Sequence, residues 1–203
     1  FKHYTESLQE VMETLEGPTV VVGHSFGGAL LQNMIRKNTE MAGAVLMAPV
    51  PPHGMGYSSW LMFYNSPALW RELARMILFC PGNIDYATLK KELFSEDLAE
   101  KDFQRFLEKR IEDFPLAASK ALMGWPPFAP PPPLMVGNTL PIMVMGADND
   151  AFVSQSDVHM TAAYYGITAR MITNMSHVMM LDTRWESAAQ CLLEWLEEQF
   201  PKV

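Results

Sequence analysis

One serine of this chain stands in a segment whose residue types could support nucleophilic chemistry. Residues 23–28 read Gly-His-Ser-Phe-Gly-Gly, so Ser25 lies at the centre of the pattern Gly-x-Ser-x-Gly. In a turn between a strand and a helix this pattern forms a nucleophile elbow, which raises the serine hydroxyl above the end of the strand. The positive end of the following helix favours negative charge at that hydroxyl. The segment therefore predicts that Ser25 is a catalytic nucleophile.

The sequence around the serine supplies both neighbours that an elbow needs. Residues 19–22, Thr-Val-Val-Val, predict a strand, and the apolar residues that follow the turn predict a helix over 29–37. We expect Gly23 and Gly27 to be required, because a side chain at either position would collide with the tightly turned backbone. The alternative interpretation is an ordinary glycine-rich turn. A phosphate site fits less well, because a dinucleotide fingerprint needs glycine where Ser25 stands and no Gly-Lys-Ser/Thr ending is present.

A serine nucleophile needs a base that removes its proton and a third group that orients the base. On an α/β sheet with an elbow, the chain order is nucleophile, acid, histidine. His177 follows the last predicted strand, and the other histidine in this part of the chain, His159, falls inside a predicted helix. We therefore expect His177 to be the base, with a structural histidine near a helix start as the alternative. His3, His24 and His53 come too early in the chain, and His24 is expected to be a structural residue of the elbow.

Two aspartates follow the third predicted strand, in the segment Gly-Ala-Asp-Asn-Asp at 146–150. We favour Asp150, which is followed by Ala151, Phe152 and Val153, as the acid that orients the base. Asp148 remains the alternative, although an aspartate in such a turn often hydrogen-bonds within its own loop. Asp182 is expected instead to cap the last helix, where its carboxylate would meet the amide groups of the first turn.

The elements that must position these residues alternate between strand and helix. Short apolar segments bounded by glycine or proline predict buried parallel strands at 19–22, 44–47 and 142–145, with a weaker one at 169–173. Helices are predicted at 29–37, 156–165 and 184–199 from their apolar periodicity. This alternation predicts an α/β fold with a mostly parallel sheet flanked by helices.

The interval between the second and third predicted strands is too long for a simple crossover, and it has helical patterning of its own. We expect a helical cap over residues 51–140, inserted into a core made of residues 1–50 and 141–203. Residues 125–133, Trp-Pro-Pro-Phe-Ala-Pro-Pro-Pro-Pro, would form a stiff extended linker back to the sheet. A proline-rich ligand for a partner domain is the alternative interpretation of that segment.

The chain opens with an amphipathic helix, in which Leu8, Val11, Met12 and Leu15 share one face. A complete α/β chain usually begins with strands. We therefore expect that N-terminal strands of the fold are absent before Phe1, and that the elbow strand forms an exposed edge of the sheet.

Composition excludes several classes of protein. The 203 residues carry 15 basic and 23 acidic side chains, and a net charge of −8 argues against a nucleic-acid partner. No apolar run approaches the ~20 residues of a membrane span, and no cleavable signal is visible. Cys80 and Cys191 have no paired spacing, so we expect neither a disulfide nor a metal site built on them. The sequence predicts a cytoplasmic protein that acts on a small molecule without a cofactor.

Three motifs together resemble those of the α/β-hydrolase family. They are Gly-His-Ser-Phe-Gly-Gly at 23–28, Gly-Ala-Asp-Asn-Asp at 146–150 and Ser-His-Val-Met-Met-Leu-Asp at 176–182. The segment Ala-Pro-Val-Pro-Pro-His-Gly at 48–54 also resembles the point at which similar members leave the sheet for a cap. The resemblance covers essentially the whole chain and implies the fold of that family.

The resemblance also implies a role for each site residue. Ser25 would be the nucleophile, His177 the base and Asp150 the acid, and the backbone amide of Phe26 would be one donor to the oxyanion hole. The second oxyanion donor of the family comes from a loop after an earlier strand, which we expect to be absent here. Loss of such a donor costs about 10²–10³ in turnover. We therefore expect the chain taken alone to be inactive or poorly folded.

These residues predict a serine hydrolase that cleaves a carboxylic ester through an acyl-enzyme. The 16 methionines and several aromatic residues favour an uncharged, largely apolar substrate, because methionine adapts to varied apolar groups. Two alternatives stay open. The same triad could hydrolyse a carbon–carbon bond, a thioester or an amide, or catalyse perhydrolysis. The chain could also be a ligand-binding protein of the same fold. Epoxide hydrolases and haloalkane dehalogenases use an aspartate at the elbow, so Ser25 counts against both.

Overall fold

The computed structural model describes residues 2–79, 85–109 and 140–201. Its helices are α1 (Lys2–Glu13), α2 (Phe26–Arg36), α3 (Gly56–Asn65), α4 (Pro67–Phe79), α5 (Tyr86–Leu93), α6 (Glu100–Lys109), α7 (Gln155–Tyr164) and α8 (Trp185–Gln199). Its strands are β1 (Val20–His24), β2 (Gly43–Met47), β3 (Ile142–Ala147) and β4 (Arg170–Ile172), and one turn of 3₁₀-helix spans Met179–Leu181. Strands and helices alternate except between β2 and β3, where α3 to α6 follow one another.

The four strands form one parallel sheet in the order β1-β2-β3-β4. Every residue of β2 and β3 is buried, as expected for strands covered on both faces. The predicted α/β fold with a parallel sheet is therefore confirmed. Because parallel strands all end at the same edge, the segments that follow β1, β3 and β4 meet there. These are the segments that carry Ser25, Asp150 and His177.

Alternate residues of the central strands face opposite sides of the sheet. One side holds Leu46 and Val144 in the cluster that α2 and α7 cover. The other side holds Val45 and Met143, and α8 covers it with its buried Trp195. Helices therefore cover both faces of the sheet beneath the segments at its carboxyl edge.

The elbow strand lies at one edge of the sheet that the described residues form. In that sheet β1 pairs with β2 alone, and the Val22 side chain is 45% exposed. The backbone N–H and C=O groups along the edge of a sheet are the groups to which a further strand can pair. The edge position of β1 agrees with the expectation that the elbow strand forms an exposed edge of the sheet.

The predicted bounds differ from the observed ones by a few residues. Helix α2 begins at Phe26, three residues before the predicted start, because the glycines after the serine already belong to its first turn. Cys191 is a free thiol. Cys80 and the proline-rich segment 125–133 lie outside the described residues. In the described part of the chain, no helix combines the length and apolar character needed to cross a bilayer.

Asp182 ties three parts of the chain together. Its buried carboxylate accepts hydrogen bonds from the hydroxyl of Ser95 (2.5 Å) and from the amides of Ser176 (3.2 Å) and Arg184 (3.0 Å). Arg184 is the residue before α8, and the amide of Trp185 in the first turn donates to the backbone carbonyl of Asp182 rather than to its carboxylate. The expectation that the Asp182 carboxylate caps the last helix through first-turn amides is therefore wrong. The same side chain also joins the segment between α5 and α6 to the segment that carries His177.

Removal of this carboxylate should destabilise the fold. Asp182→Ala leaves two backbone amides and a hydroxyl without their acceptor, which we expect to lower the free energy of unfolding by about 2–4 kcal/mol. Urea denaturation measures the change. Asp97→Ala is the matched control, because Asp97 forms a half-exposed ion pair with Arg184 and should contribute about 0–1 kcal/mol. Equal denaturation midpoints for the two variants would contradict this assignment.

Candidate active site

Ser25 connects β1 to α2 in a strained backbone conformation. Its φ of 52° and ψ of −117° lie in a region that side chains rarely adopt. Such a conformation costs roughly 1–3 kcal/mol and persists only where its surroundings hold it. Here the Ser25 amide donates to the carbonyl of Met47, and the Ser25 carbonyl accepts from the amides of Gly28 and Val50, each at 3.0 Å. This strand–turn–helix geometry is that of a nucleophile elbow.

The glycines of the elbow differ in why they are needed. A Cβ on Gly23 would lie 2.6 Å from the carbonyl oxygen of Gly27, as predicted. The prediction for Gly27 is wrong, since a Cβ there would meet nothing within 4 Å. The crowded position is Gly28, where a Cβ would lie 2.6 Å from the Cβ of Pro49. Helix α2 crosses the segment after β2 at that point, and the local sequence pattern carries no sign of this contact.

Asp150 and His177 form a buried hydrogen-bonded pair. Nδ1 of His177 lies 2.7 Å from Oδ2 of Asp150, and the two side chains are 5% and 0% exposed. The other carboxylate oxygen accepts from the amides of Phe152 (2.7 Å) and Val153 (2.8 Å). A carboxylate that accepts from two backbone amides is fixed in position, and as an acceptor it selects the tautomer of the histidine that donates from Nδ1. Nε2 of His177 is then the nitrogen that can accept a proton.

Asp148 has a different set of partners. Its Oδ1 accepts from the amide of Met175 (3.3 Å), and its own amide donates to the carbonyl of Ile172 (3.1 Å). Asp148 therefore holds the segment after β3 against the segment after β4. The structure places Asp150 against His177 and places Asp148 beside them, in a contact between the two loops.

The remaining histidines lie away from this pair, with one exception. His159 lies in α7, and Nε2 of His53 is 2.8 Å from the carboxylate of the buried Asp157. That carboxylate also accepts from the amide of Ser58 in α3 (3.1 Å), and the hydroxyl of Ser58 accepts from the amide of Ser154 (2.8 Å). This second network joins the start of α3 to the start of α7. The exception is His24.

Two rings pack against the imidazole of His177. The centroids of His24 and Phe152 each lie 4.8 Å from its centroid. Nε2 of His24 is also 2.9 Å from the carbonyl oxygen of His177. Burial, and then the neighbouring His177, lower the pKa of His24 from 6.5 to about 4. His24 is therefore neutral at pH 7. The sequence places it next to the serine, but only the fold shows that it reaches a residue 153 positions away.

The serine hydroxyl and the acid–base pair are brought to one edge of the sheet without a direct bond. In residues 2–79, 85–109 and 140–201, no hydrogen bond joins Oγ of Ser25 to a ring nitrogen of His177. Hydrogen bonds of catalytic groups often tighten only when substrate is bound. Phe26 is the first residue of α2, and the amides of a first helical turn are common donors to bound anions.

A cavity of about 240 Å³ lies beside Asp150, between α3 and the segment after β3. Leu61 and Met62 line one side, and Asp148, Asp150 and Ala151 line the other.

Among the described residues, no cluster of histidine, cysteine, aspartate and glutamate has the arrangement of a metal site. The chemistry that this arrangement supports is proton transfer and nucleophilic attack by a serine.

The chain belongs to the α/β hydrolase family, whose model matches residues 2–190. Similar solved structures share its fold at low sequence identity. A monoacylglycerol lipase of Paleococcus ferrophilus is 14% identical with a TM-score of 0.63, and the match covers 98% of this chain and 75% of the lipase. A bromoperoxidase from Bacillus anthracis is 17% identical with a TM-score of 0.66, covering 97% and 74% of the two chains.

An esterase from Thermogutta terrifontis is 19% identical with a TM-score of 0.56, and the match covers 95% of this chain and 69% of the esterase. A comparison with curated proteins gives no significant match. At these identities the solved structures establish the fold, and the residues of the site must carry the argument about activity.

The two neighbouring glycines of the elbow should respond differently to alanine. Gly28→Ala forces a methyl group against Pro49, so we expect it to lower the free energy of unfolding by about 1–3 kcal/mol. Gly27→Ala meets open space inside α2, and we expect it to be neutral or stabilising by up to about 1 kcal/mol. Urea denaturation of both variants tests the pair. A larger loss of unfolding free energy in Gly27→Ala than in Gly28→Ala would show that Gly27 is the crowded position of the elbow.

Acid should destabilise the protein through His24. The unfolded side chain titrates near 6.5 and the folded one near 4, so between these values the unfolded chain binds more protons. The free energy of unfolding should therefore fall as the pH is lowered through this window, by about 1–3 kcal/mol at pH 4.5. Urea denaturation at pH 7 and pH 4.5 measures the fall, which should be smaller in His24→Phe. Equal falls in the two proteins would show that His24 does not contribute.

Proposed function

We propose that this protein is a serine hydrolase that cleaves a carboxylic ester through an acyl-enzyme on Ser25. The observation that carries the proposal is the buried Asp150–His177 hydrogen bond at the edge of the sheet where the elbow presents Ser25. A strained serine and an oriented imidazole at one site are the two components that acyl transfer requires. Membership of the α/β hydrolase family supports the same reaction class.

The proposed reaction begins with the proton of the serine. Nε2 of His177 takes this proton as Oγ of Ser25 forms a bond to the ester carbonyl carbon. The carbonyl oxygen becomes an oxyanion, and the Phe26 amide at the start of α2 donates to it. When the tetrahedral intermediate collapses, the carbon–oxygen bond to the alcohol breaks, and His177 returns the proton to the leaving alcohol.

Deacylation repeats these steps with water. His177 takes a proton from a water molecule, which attacks the acyl-enzyme, and Ser25 leaves with the proton that His177 returns. Asp150 keeps Nδ1 of His177 protonated and stabilises the imidazolium in both halves of the reaction. The carboxylic acid is then released and the serine hydroxyl is regenerated.

We also propose that residues 51–140 form a cap over a core of residues 1–50 and 141–203; residues 80–84 and 110–139 of this interval lie outside the described part of the chain, so the support comes from residues 51–79 and 85–109. Two contacts support this division: Ser58 of α3 bonds to Asp157 at the start of α7, and Ser95 bonds to Asp182. The amide of Val178 also donates to the carbonyl of Leu93 at the end of α5. The interval between β2 and β3 thus contacts the segments on both sides of the acid–base pair.

We propose that the ester substrate carries a small, largely apolar acyl group. Leu61 and Met62 give the cavity beside Asp150 an apolar wall on the α3 side. Aliphatic and thioether side chains bind apolar groups through area removed from water and adapt to their shape. Short-chain 4-nitrophenyl esters are therefore suitable first substrates.

Active-site labelling tests the proposal. A fluorophosphonate should label the wild-type chain on Ser25 and should not label Ser25→Ala. Labelling needs a single attack by the serine rather than full turnover, so it tests the site even if the expected loss of one oxyanion donor lowers turnover. Asp150→Asn should reduce labelling and ester hydrolysis by about 10³–10⁴, because the base loses its orienting acceptor. Asp148→Asn is the matched control and should retain activity within about tenfold, since the Asp148 carboxylate accepts from the Met175 amide whereas Asp150 is the acceptor for His177. Circular dichroism confirms that each variant is folded. Loss of activity in Asp148→Asn but not in Asp150→Asn would contradict the assignment of the acid.

A further inference from the structure

The hydrogen bond to Asp150 does not by itself fix the orientation of the His177 imidazole; two ring contacts restrict it further. Asp150 fixes Nδ1 but leaves the ring able to rotate about that hydrogen bond. The ring of His24 packs against it with centroids 4.8 Å apart and an interplanar angle of 46°. The ring of Phe152 packs at the same distance with an angle of 55°. These ring contacts restrict the plane of the imidazole, which decides where Nε2 lies.

His24 also holds the backbone of His177. A carbonyl oxygen can only accept, so the 2.9 Å contact requires that Nε2 of His24 carries a proton and donates it. His24 is the last residue of β1, paired with Met47 of β2, whereas His177 lies in a connecting segment. Strands of a packed sheet hold side chains more tightly than loops do. The bond therefore connects the base to the rigid strand that also carries the serine.

The charge state of His24 suits this position. The groups that act on it electrostatically are His177 and Asp150, and burial keeps its ring neutral at pH 7. During acyl transfer His177 becomes an imidazolium. A second cation at this distance would oppose that change, because like charges in a buried site repel strongly. A neutral donor holds the base without adding this repulsion.

We propose that His24 is a positioning residue for His177. Its Nε2–H fixes the His177 carbonyl, its ring restricts the imidazole plane, and together they direct Nε2 of His177 towards Ser25. This inference rests on the proposed function, in which Nε2 of His177 is the base. It gives the residue before the nucleophile a role beyond the structure of the elbow.

Three substitutions separate the two contacts. His24→Phe keeps a ring and removes the donor, His24→Gln places an amide N–H near the position of Nε2 and removes the ring, and His24→Ala removes both. We expect kcat for a 4-nitrophenyl ester to fall about 10²-fold in His24→Ala with KM within about twofold, because a misplaced base slows chemistry without weakening binding. His24→Gln should recover to within about tenfold of the wild type. The exposed His159, replaced by phenylalanine, is the control and should leave kcat unchanged.

Nuclear magnetic resonance supplies a readout that does not depend on turnover. Wild-type His24 should be observed as the neutral Nε2–H tautomer down to about pH 5. The downfield proton of the His177–Asp150 bond should broaden or disappear in His24→Ala. An Nδ1–H tautomer for His24, an unchanged downfield proton or an unchanged kcat in His24→Ala would overturn the inference. Equal kcat in His24→Gln and His24→Ala would overturn the role of the donor. Turnover that persists in Ser25→Ala would instead refute the proposed function, and the proton spectra would then decide the role of His24.

Discussion

The buried carboxylate of Asp150 is the constraint around which the site is arranged. A charge without exposure to water is costly unless every part of it is hydrogen-bonded. Two backbone amides satisfy one oxygen of Asp150, and Nδ1 of His177 satisfies the other. The segment after β3 must therefore curl around its own aspartate, and the segment after β4 must bring its histidine to the same point. The parallel sheet makes this possible because both strands end at one edge.

The elbow meets a second constraint at the same edge. Ser25 holds a backbone conformation that serine does not favour, and three backbone hydrogen bonds compensate for it. Two of the three bonding partners, Met47 and Val50, come from the end of β2 and the segment after it. The close approach of Gly28 to Pro49 brings the same segment against α2. The position of the serine thus depends on a strand that is not adjacent to it in sequence.

Local signals were sufficient to predict the elements and the order of the candidate residues. Glycine around Ser25, short apolar runs and helical periodicity each report on a few neighbouring positions, and they predicted the parallel sheet and its flanking helices. The preference for Asp150 over Asp148 came from the residues after it and from the resemblance, and the structure supplied the contact with His177.

Contacts between distant segments could not be predicted in this way. The expectation for Gly27 failed because crowding at the elbow comes from Pro49, which the pattern of the elbow does not include. The contact of His24 with His177 joins residues 153 positions apart. The carboxylate of Asp182 reaches Ser95 as well as Arg184, the residue before α8. Each of these contacts depends on packing between elements, which a single sequence does not encode in any local pattern.

The central claim is that Ser25 becomes covalently acylated during turnover. The direct measurement is to mix the protein with a 4-nitrophenyl ester, quench the reaction with acid and locate the acyl group by mass spectrometry of the peptides. The expected result is an acyl group on Ser25 and none in Ser25→Ala, with ester hydrolysis lost in that variant. An acyl group on another residue, or hydrolysis that continues unchanged in Ser25→Ala, would contradict it.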